Sequence, residues 1–183
     1  MTLLEILQTK KYTTDKHTHH HYVQCFYDEA FSKYQHLNLN FLEIGVLRGD
    51  SMKLWSDYFT NPNNIVGIDL FGRCSFQSVS ESLRDYNVKL HELDSINPEK
   101  NKFDEFKSLY STGFDIIIDD GHHAAISQIK TFNNFSKLMN SGGLYIIEDI
   151  HDVDEIEKNI PGVKILRSPG EVWTNWPFGV VSF

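Results

Sequence analysis

The chain alternates between short runs of apolar residues and longer segments in which apolar residues recur at a helical period. The apolar runs predict seven strands, at residues 41–46, 64–70, 88–94, 114–120, 142–150, 163–167 and 178–183. In three of the segments between them, apolar side chains recur three or four positions apart and so share one helix face. Continuous apolar strands separated by amphipathic helices are typical of a parallel sheet that is covered on both faces.

The segment 51–59 illustrates the helical period, because Met52, Trp55 and Phe59 fall on one face. The last two strands are joined by too few residues for a crossover helix, so they are expected to pair as an antiparallel hairpin. The chain therefore predicts an α/β fold: a Rossmann-like, seven-stranded, mostly parallel sheet with helices on both faces and a C-terminal antiparallel hairpin. Residues 1–183 are read as one domain, in which residues 1–38 form a helical lead-in that covers the active site.

Composition and charge argue against some classes of function but do not identify one. The 183 residues are 40% hydrophobic and 23% charged, with a net charge of −8 and no basic cluster, so nucleic acid is an unexpected partner. No apolar run approaches the roughly 18–20 residues of a membrane span, and no secretion signal is recognised at the start. Two cysteines form neither a disulfide framework nor a cysteine metal site. A cytoplasmic protein is the expectation.

Acidic or glycine residues follow five of the predicted strands. Ligands of an open parallel sheet bind outside the carboxyl ends of the strands, so these residues are expected at one edge. Any single acid has an alternative explanation as a helix cap or turn residue, but a ligand site explains the whole set better. The set comprises Gly45, Asp69, Asp94, Asp119, Asp120, Glu148 and Asp149.

The glycine-rich turn EIGVLRGDS (43–51) indicates the kind of ligand. Gly45 lets the chain leave its strand at an unusual backbone angle, Gly49 lets the backbone approach a ligand, and Ser51 is expected to cap the next helix. The turn matches neither the dinucleotide pattern G-x-G-x-x-G nor a P-loop, which argues against an NAD(P)-dependent oxidoreductase. It favours a nucleoside-like ligand without phosphates, whose ribose hydroxyls Asp69 is placed to bind.

Four segments resemble a known family. They are TTDKHTHHHYVQCFYDEAF (13–31), FLEIGVLRGDSMKLW (41–55), IDDGHH (118–123) and YIIEDI (145–150). Together they resemble class I S-adenosylmethionine (SAM)-dependent methyltransferases. More narrowly, they are similar to the metal-dependent sugar O-methyltransferases of macrolide biosynthesis, of the mycinamicin and demethylmacrocin type.

The resemblance implies SAM and a divalent cation, normally Mg²⁺, as cofactors, and a small-molecule hydroxyl acceptor, such as a sugar or glycoside. A homo-oligomer is compatible with it. His123 would be the general base, with Asp120 beside it in the catalytic centre, and Asp120 and Asp149 would bind the metal. The SAM site would be formed by Lys16, Glu43, Gly45, Gly49, Ser51, Asp69 (ribose), Asp94 (adenine edge) and Asp119 (near the SAM amino group).

The chemistry of methyl transfer to oxygen is consistent with these residue types. A sugar hydroxyl is a poor nucleophile at pH 7, and both a histidine base and a hard cation help to remove its proton. Asp120 and Asp149 end what should be adjacent strands, about 4.8 Å apart, and His123 follows Asp120 by three residues. Whether Glu148, Asp149 or His151 completes the metal shell stays open.

Plainer explanations stay open for several residues. The histidines His122 and His123 suit a solvated helix start, and the aspartates suit helix caps without metal. The HTHHH run (17–21) is either a soft-metal site or a polar lead-in with His20 and Tyr22 turned to the active site. Trp173 and Trp176 either stack on a sugar or pack in the hairpin. A non-catalytic SAM-binding module is the remaining alternative to an enzyme.

Overall fold

A computed structural model describes residues 1–167 and 177–183, and within that part of the chain it confirms the predicted α/β fold. Its strands are β1 Asn40–Ile44, β2 Asn64–Asp69, β3 Lys89–Glu92, β4 Phe114–Asp119, β5 Met139–Ile147, β6 Lys164–Leu166 and β7 Phe178–Ser182. They form one sheet in the order β3-β2-β1-β4-β5-β7-β6. The first five strands are parallel, and β7 is antiparallel to both β5 and β6, as the hairpin prediction required.

The helices lie between the strands and before the first one. They are α1 Leu3–Lys10, α2 Asp15–Thr18, α3 Asp28–Ser32, α4 Asp50–Tyr58, α5 Phe76–Ser82, α6 Lys100–Leu109, α7 Ala125–Phe135 and α8 Val153–Asn159. A π-helical turn, Val23–Tyr27, runs directly into α3. The predicted helical face of Met52, Trp55 and Phe59 is confirmed, since all three side chains are buried.

Two apolar cores cover the two faces of the sheet. Because successive strand residues point to opposite faces, Phe41 joins one core and Leu42 joins the other. The Phe41 core contains the lead-in, α4 and α5, whereas the Leu42 core contains α6, α7 and α8. This two-sided burial explains why the strands are apolar at nearly every position rather than at alternate ones.

Strand β5 departs from its predicted range. It begins at Met139, which pairs with Phe114, and the register then shifts before Leu144 pairs with Ile116. Gly142, at φ +83°, lies inside this irregularity. The sequence MNSGG has no strand pattern, because a bulge removes its residues from regular alternation.

The lead-in consists of α1, α2, the π-helical turn and α3, and it packs onto the sheet. Tyr27 and Phe31 contact the Trp55 ring, with centroids 5.5 and 5.6 Å away. The Tyr12 hydroxyl donates a hydrogen bond to Asp57 Oδ2 at 2.6 Å. The lead-in is thus tied to α4 at several points, which places its residues 13–22 beside the carboxyl edge of the sheet.

Within the described ranges, no helix combines the length and apolarity needed to cross a membrane. The predicted sugar-stacking or packing residues Trp173 and Trp176 lie outside the described residues.

Candidate functional site

The turn after β1 is shaped by its contacts with the neighbouring strand ends. Gly45 has φ +93°, and a Cβ built on it would lie 2.1 Å from the carbonyl oxygen of Asp120. Asp69 Oδ2 accepts hydrogen bonds from the backbone N–H groups of Val46 and Leu47, at 2.9 and 3.1 Å. Asp69 Oδ1 accepts one from the Phe71 N–H, at 2.8 Å. The Asp69 carboxylate therefore fixes the turn against the end of β2.

Two details of this turn differ from expectation. Gly49, at φ +86°, occupies the N-cap position of α4, and a Cβ there would meet the Leu83 side chain at 3.0 Å. Helix packing and backbone angle therefore explain this glycine, and ligand approach is not needed. Ser51 lies inside the first turn of α4 and does not cap it. Burial raises the pKa of the nearby Glu43 carboxyl, and Lys16 and the Ser51 hydroxyl oppose that rise.

A cavity of about 130 Å³ opens between this turn and the lead-in. Thr13, Thr14, Asp15 and Lys16 line one side of it. The other side is lined by residues 45–48, Asp50, Ser51 and Asp120. Thr13, Thr14 and Asp15 were not predicted as part of the site, although they directly precede Lys16 in the sequence.

Lys16 lies at the centre of the buried polar network. Its side chain is 1% exposed, and Nζ lies 2.5 Å from Asp120 Oδ2 and 2.7 Å from Glu148 Oε2. Glu43 Oε1 is 3.3 Å away, and Glu43 Oε2 accepts a hydrogen bond from Trp55 Nε1 at 2.7 Å. Burial alone would lower the pKa of Lys16, but the three carboxylates hold it well above its ordinary value.

Glu148 is held on both sides. One of its carboxylate oxygens accepts from Lys16, and the other accepts a hydrogen bond from the Tyr27 hydroxyl. Burial raises the pKa of Glu148 well above its usual range, against the opposing effect of Lys16. Tyr27 was not predicted as part of the site, because only the docking of the lead-in onto the sheet brings it to Glu148.

Asp120, His123 and Asp149 form a cluster that could hold a metal ion. One donor atom from each lies within 4.8 Å of the others. Nε2 of His123 is 3.3 Å from Asp120 Oδ1, and Nδ1 is 3.6 Å from Asp149 Oδ2. Two carboxylate oxygens and one imidazole nitrogen suit a divalent cation. The predicted metal ligands and the predicted base are therefore together at the ends of β4 and β5.

The charges of this cluster are coupled. Burial would raise the pKa of Asp120, but the Lys16 charge and the hydrogen bond from His123 lower it below its ordinary value. The hydrogen bond to Asp120 raises the pKa of His123, against the effect of burial and with added help from Asp149. His151 lies close by, with its ring centroid 6.0 Å from that of His123.

The lead-in also reaches the second carboxylate of the cluster. The Tyr22 hydroxyl donates a hydrogen bond to Asp149 Oδ1 at 2.6 Å, and His20 Nδ1 lies 3.7 Å from the same oxygen. The His20 and Tyr22 rings are stacked, with centroids 5.3 Å apart. His20 and Tyr22 therefore lie beside the cluster of Asp120, His123 and Asp149. In the described part of the chain, the other histidines of the HTHHH run do not form a three-ligand group.

Asp119 and Asp94 occupy neighbouring strand ends. Asp119 is 1% exposed, and its Oδ2 has no hydrogen-bond partner among the described residues. Burial raises its pKa to about 7. Such a carboxylate is costly to bury, so it suits a cationic ligand group. Asp94 Oδ1 accepts from the backbone N–H groups of Ile96 and Asn97, at 2.8 and 3.1 Å, and so shapes the turn after β3.

Acidic side chains are concentrated at the carboxyl edge of the sheet. Among the described residues, a single lysine ammonium faces three of them, and burial raises the pKa of Glu43, Asp119 and Glu148. The acids are Glu43, Asp119, Asp120, Glu148 and Asp149. A larger cavity of about 360 Å³ lies along the outer edge of β3, but none of the predicted site residues lines it.

Comparison with curated proteins finds O-methyltransferases. The chain is 28% identical over 149 residues to mycinamicin VI 2''-O-methyltransferase of Micromonospora griseorubida. It is 27% identical over 151 residues to demethylmacrocin O-methyltransferase of Streptomyces fradiae. Each match covers 78% of this chain but 35% of the relative, so the chain spans about a third of the length of these proteins.

Comparison with solved structures agrees. MycE methyltransferase of the mycinamycin pathway, solved with Mg and S-adenosylhomocysteine (SAH), superposes with a TM-score of 0.64 at 26% identity. The match covers 81% of this chain and 37% of that one. No protein-family model matches the chain. The predicted resemblance to SAM-dependent sugar O-methyltransferases is therefore confirmed in both sequence and fold.

Proposed function

We propose that the protein is a SAM-dependent O-methyltransferase that uses a divalent cation to transfer a methyl group to a hydroxyl of a sugar or small natural product. The observation that carries this proposal is the cluster of Asp120, His123 and Asp149 within 4.8 Å of one another, directly beside the turn that begins at Gly45. Relatives named as sugar O-methyltransferases, and a related structure that contains Mg and SAH, support it.

The donor is assigned to the cavity between the lead-in and residues 45–51. Asp119, buried and lacking a partner at Oδ2, supplies a negative charge for a cationic group of the donor. Asp69 holds the turn and lies where ribose hydroxyls are expected, and Asp94 lies at the next strand end, toward the adenine. Glu43 supports the floor of the site through Lys16 and Trp55.

Asp120 and Asp149 would hold the cation, with His123 between them. When bound, SAM supplies an electrophilic methyl group, and the cation lowers the pKa of a coordinated hydroxyl. Nε2 of His123 faces Asp120 Oδ1 at 3.3 Å, so Nδ1, which lies 3.6 Å from Asp149 Oδ2, would be the nitrogen that accepts the proton of the acceptor. The enzyme's further task is to align acceptor and methyl group in line at near-attack distance.

Ligand binding tests the donor and the cation directly. Thermal unfolding is followed with SAM, SAH or NAD(H), each with Mg²⁺ or a chelator. A ligand at 100 times its Kd stabilises a protein by about 2.7 kcal/mol, or on the order of 5–10 °C for a domain of this size. A shift with SAM and SAH but not NAD(H) is expected. A shift with NAD(H) alone would favour an oxidoreductase and refute the proposal.

Asp149→Asn separates the cation from the donor. The variant should keep the SAH shift, since Asp149 is assigned to the cation, and should lose Mg²⁺ binding measured by calorimetry. SAH formation with a panel of glycosides then tests catalysis. Binding of SAH without turnover on any hydroxyl acceptor would instead identify a non-catalytic SAM-binding module.

A further inference from the structure

Each of the two carboxylates that are proposed to bind the metal accepts a hydrogen bond from a residue of the lead-in. Lys16 donates to Asp120 Oδ2 at 2.5 Å, and Tyr22 donates to Asp149 Oδ1 at 2.6 Å. The opposite oxygens, Asp120 Oδ1 and Asp149 Oδ2, are the ones that face His123. Each carboxylate thus has one anchored oxygen and one oxygen directed into the cluster.

Tyr22 holds the side chain of Asp149. Its hydroxyl donates a hydrogen bond to Oδ1 at 2.6 Å. Asp149 has φ +51°, a left-handed conformation that is unfavourable for a residue with a side chain and that persists where the surroundings enforce it. The bond from Tyr22 is placed to set the rotamer of the carboxylate on this strained backbone.

Tyr22 is itself rigidly held. Its side chain is fully buried, and it contacts the rings of Phe178 and His20 at centroid distances of 5.0 and 5.3 Å. Water cannot readily replace a hydroxyl in such a position, so loss of the hydroxyl leaves the Asp149 oxygen without its anchor.

We propose that Tyr22 is a positioning residue for metal binding: it fixes Asp149 so that one carboxylate oxygen is presented to the cation beside Asp120 and His123. This inference rests on the proposed function. Residues that orient metal ligands in this way change metal affinity by roughly 10- to 100-fold when they are removed. The lead-in therefore contributes to metal binding in addition to covering the site.

Tyr22→Phe removes the hydroxyl and keeps the ring. Tyr12→Phe is the matched control, because Tyr12 lies in the same lead-in and makes a tyrosine–aspartate bond of the same length, 2.6 Å, to Asp57 outside the cluster. Mn²⁺ binding to the full chain is measured by electron paramagnetic resonance, SAH binding by calorimetry, and folding by thermal unfolding.

Tyr22→Phe is expected to weaken Mn²⁺ binding at least tenfold and to leave the SAH affinity within about twofold, whereas Tyr12→Phe leaves both unchanged. Unchanged Mn²⁺ affinity in Tyr22→Phe overturns the inference but leaves the proposed function standing. Equal losses of Mn²⁺ and SAH affinity indicate a general structural role and also overturn it. Absence of Mn²⁺ and Mg²⁺ binding in the unaltered protein instead overturns the metal-assisted function itself.

Discussion

Gly45 packs directly against the backbone of Asp120: a Cβ on the glycine would lie 2.1 Å from the aspartate carbonyl oxygen. The turn assigned to the donor and the strand end assigned to the metal are therefore in contact through main-chain atoms. A change at Gly45 should disturb both.

Gly45→Ala is expected to destabilise the protein by more than the cost of a left-handed alanine. That cost, about 1–2 kcal/mol, also applies to Gly162→Ala, where φ is +77° and a Cβ meets nothing within 4 Å. Urea unfolding of both variants isolates the effect of the contact with Asp120. Equal losses of unfolding free energy would show that the backbone accommodates the methyl group.

Asp69→Ala should lower both the stability and the SAH affinity. The change leaves the N–H groups of Val46, Leu47 and Phe71 without their acceptor. The Val46 and Phe71 bonds are partly buried, and a buried unsatisfied group costs about 1–3 kcal/mol, whereas the exposed Leu47 N–H can bond to water. Asp94→Ala is the comparison, since Asp94 Oδ1 accepts from the more exposed turn residues Ile96 and Asn97. The larger loss in urea unfolding is expected for Asp69→Ala; the reverse order would contradict its assignment as the anchor of the turn.

Asp119→Asn should change the pH dependence of stability. The pKa of Asp119 is raised to about 7 when folded and is about 3.9 when unfolded. Between these values the folded state binds more protons, so this group lowers the stability as pH rises from about 4 to about 7. The Asp119→Asn variant lacks this loss of unfolding free energy, which amounts to as much as about 4 kcal/mol.

Thermal unfolding in chelator at pH 5 and pH 8 checks the sign for Asp119. The Tm of Asp119→Asn, relative to that of the unaltered protein, should be higher at pH 8 than at pH 5. A difference that is independent of pH would mean that the buried carboxylate does not titrate in this range. The SAH affinity of the variant should fall if Asp119 faces the donor amino group.

His123→Ala should abolish most of the turnover and preserve SAH binding. Removal of a positioned base costs roughly 10²- to 10⁴-fold in rate. His122→Ala is the control, because His122 is exposed and lies outside the cluster of Asp120, His123 and Asp149. SAH release with an accepted glycoside measures the rate. Loss of SAH binding in His123→Ala would identify His123 as structural and refute its role as base.

The sequence predicted those parts of the fold that depend on local pattern. Apolar runs located all seven strands, and their order along the chain gave the parallel sheet and the final hairpin. Local pattern could not show the early start of β5, because the bulge at Gly142 breaks the alternation.

The site was predicted where strand ends carry their own chemistry, as with Asp120, His123 and Asp149. Site residues were missed where the residue that they contact lies far away in the sequence. The bond from Tyr27 to Glu148 depends on how the lead-in docks, and no spacing in the sequence reports that docking. Ser51 was expected as a helix cap, but the helix begins one residue before it.

Lys16 and Tyr22 lie far along the chain from the carboxylates that they hold, and this separation affects the order in which the protein folds during synthesis. Lys16 and Glu148 are 132 positions apart, and Tyr22 and Asp149 are 127 apart. Synthesis proceeds from the N-terminus, so the anchors exist long before their partners, and long-range contacts form slowly. The lead-in can pack on α4 early, but its bonds to Glu148 and Asp149 cannot form until β5 has joined the sheet, so a nascent chain gains most of its sheet before this cluster is complete.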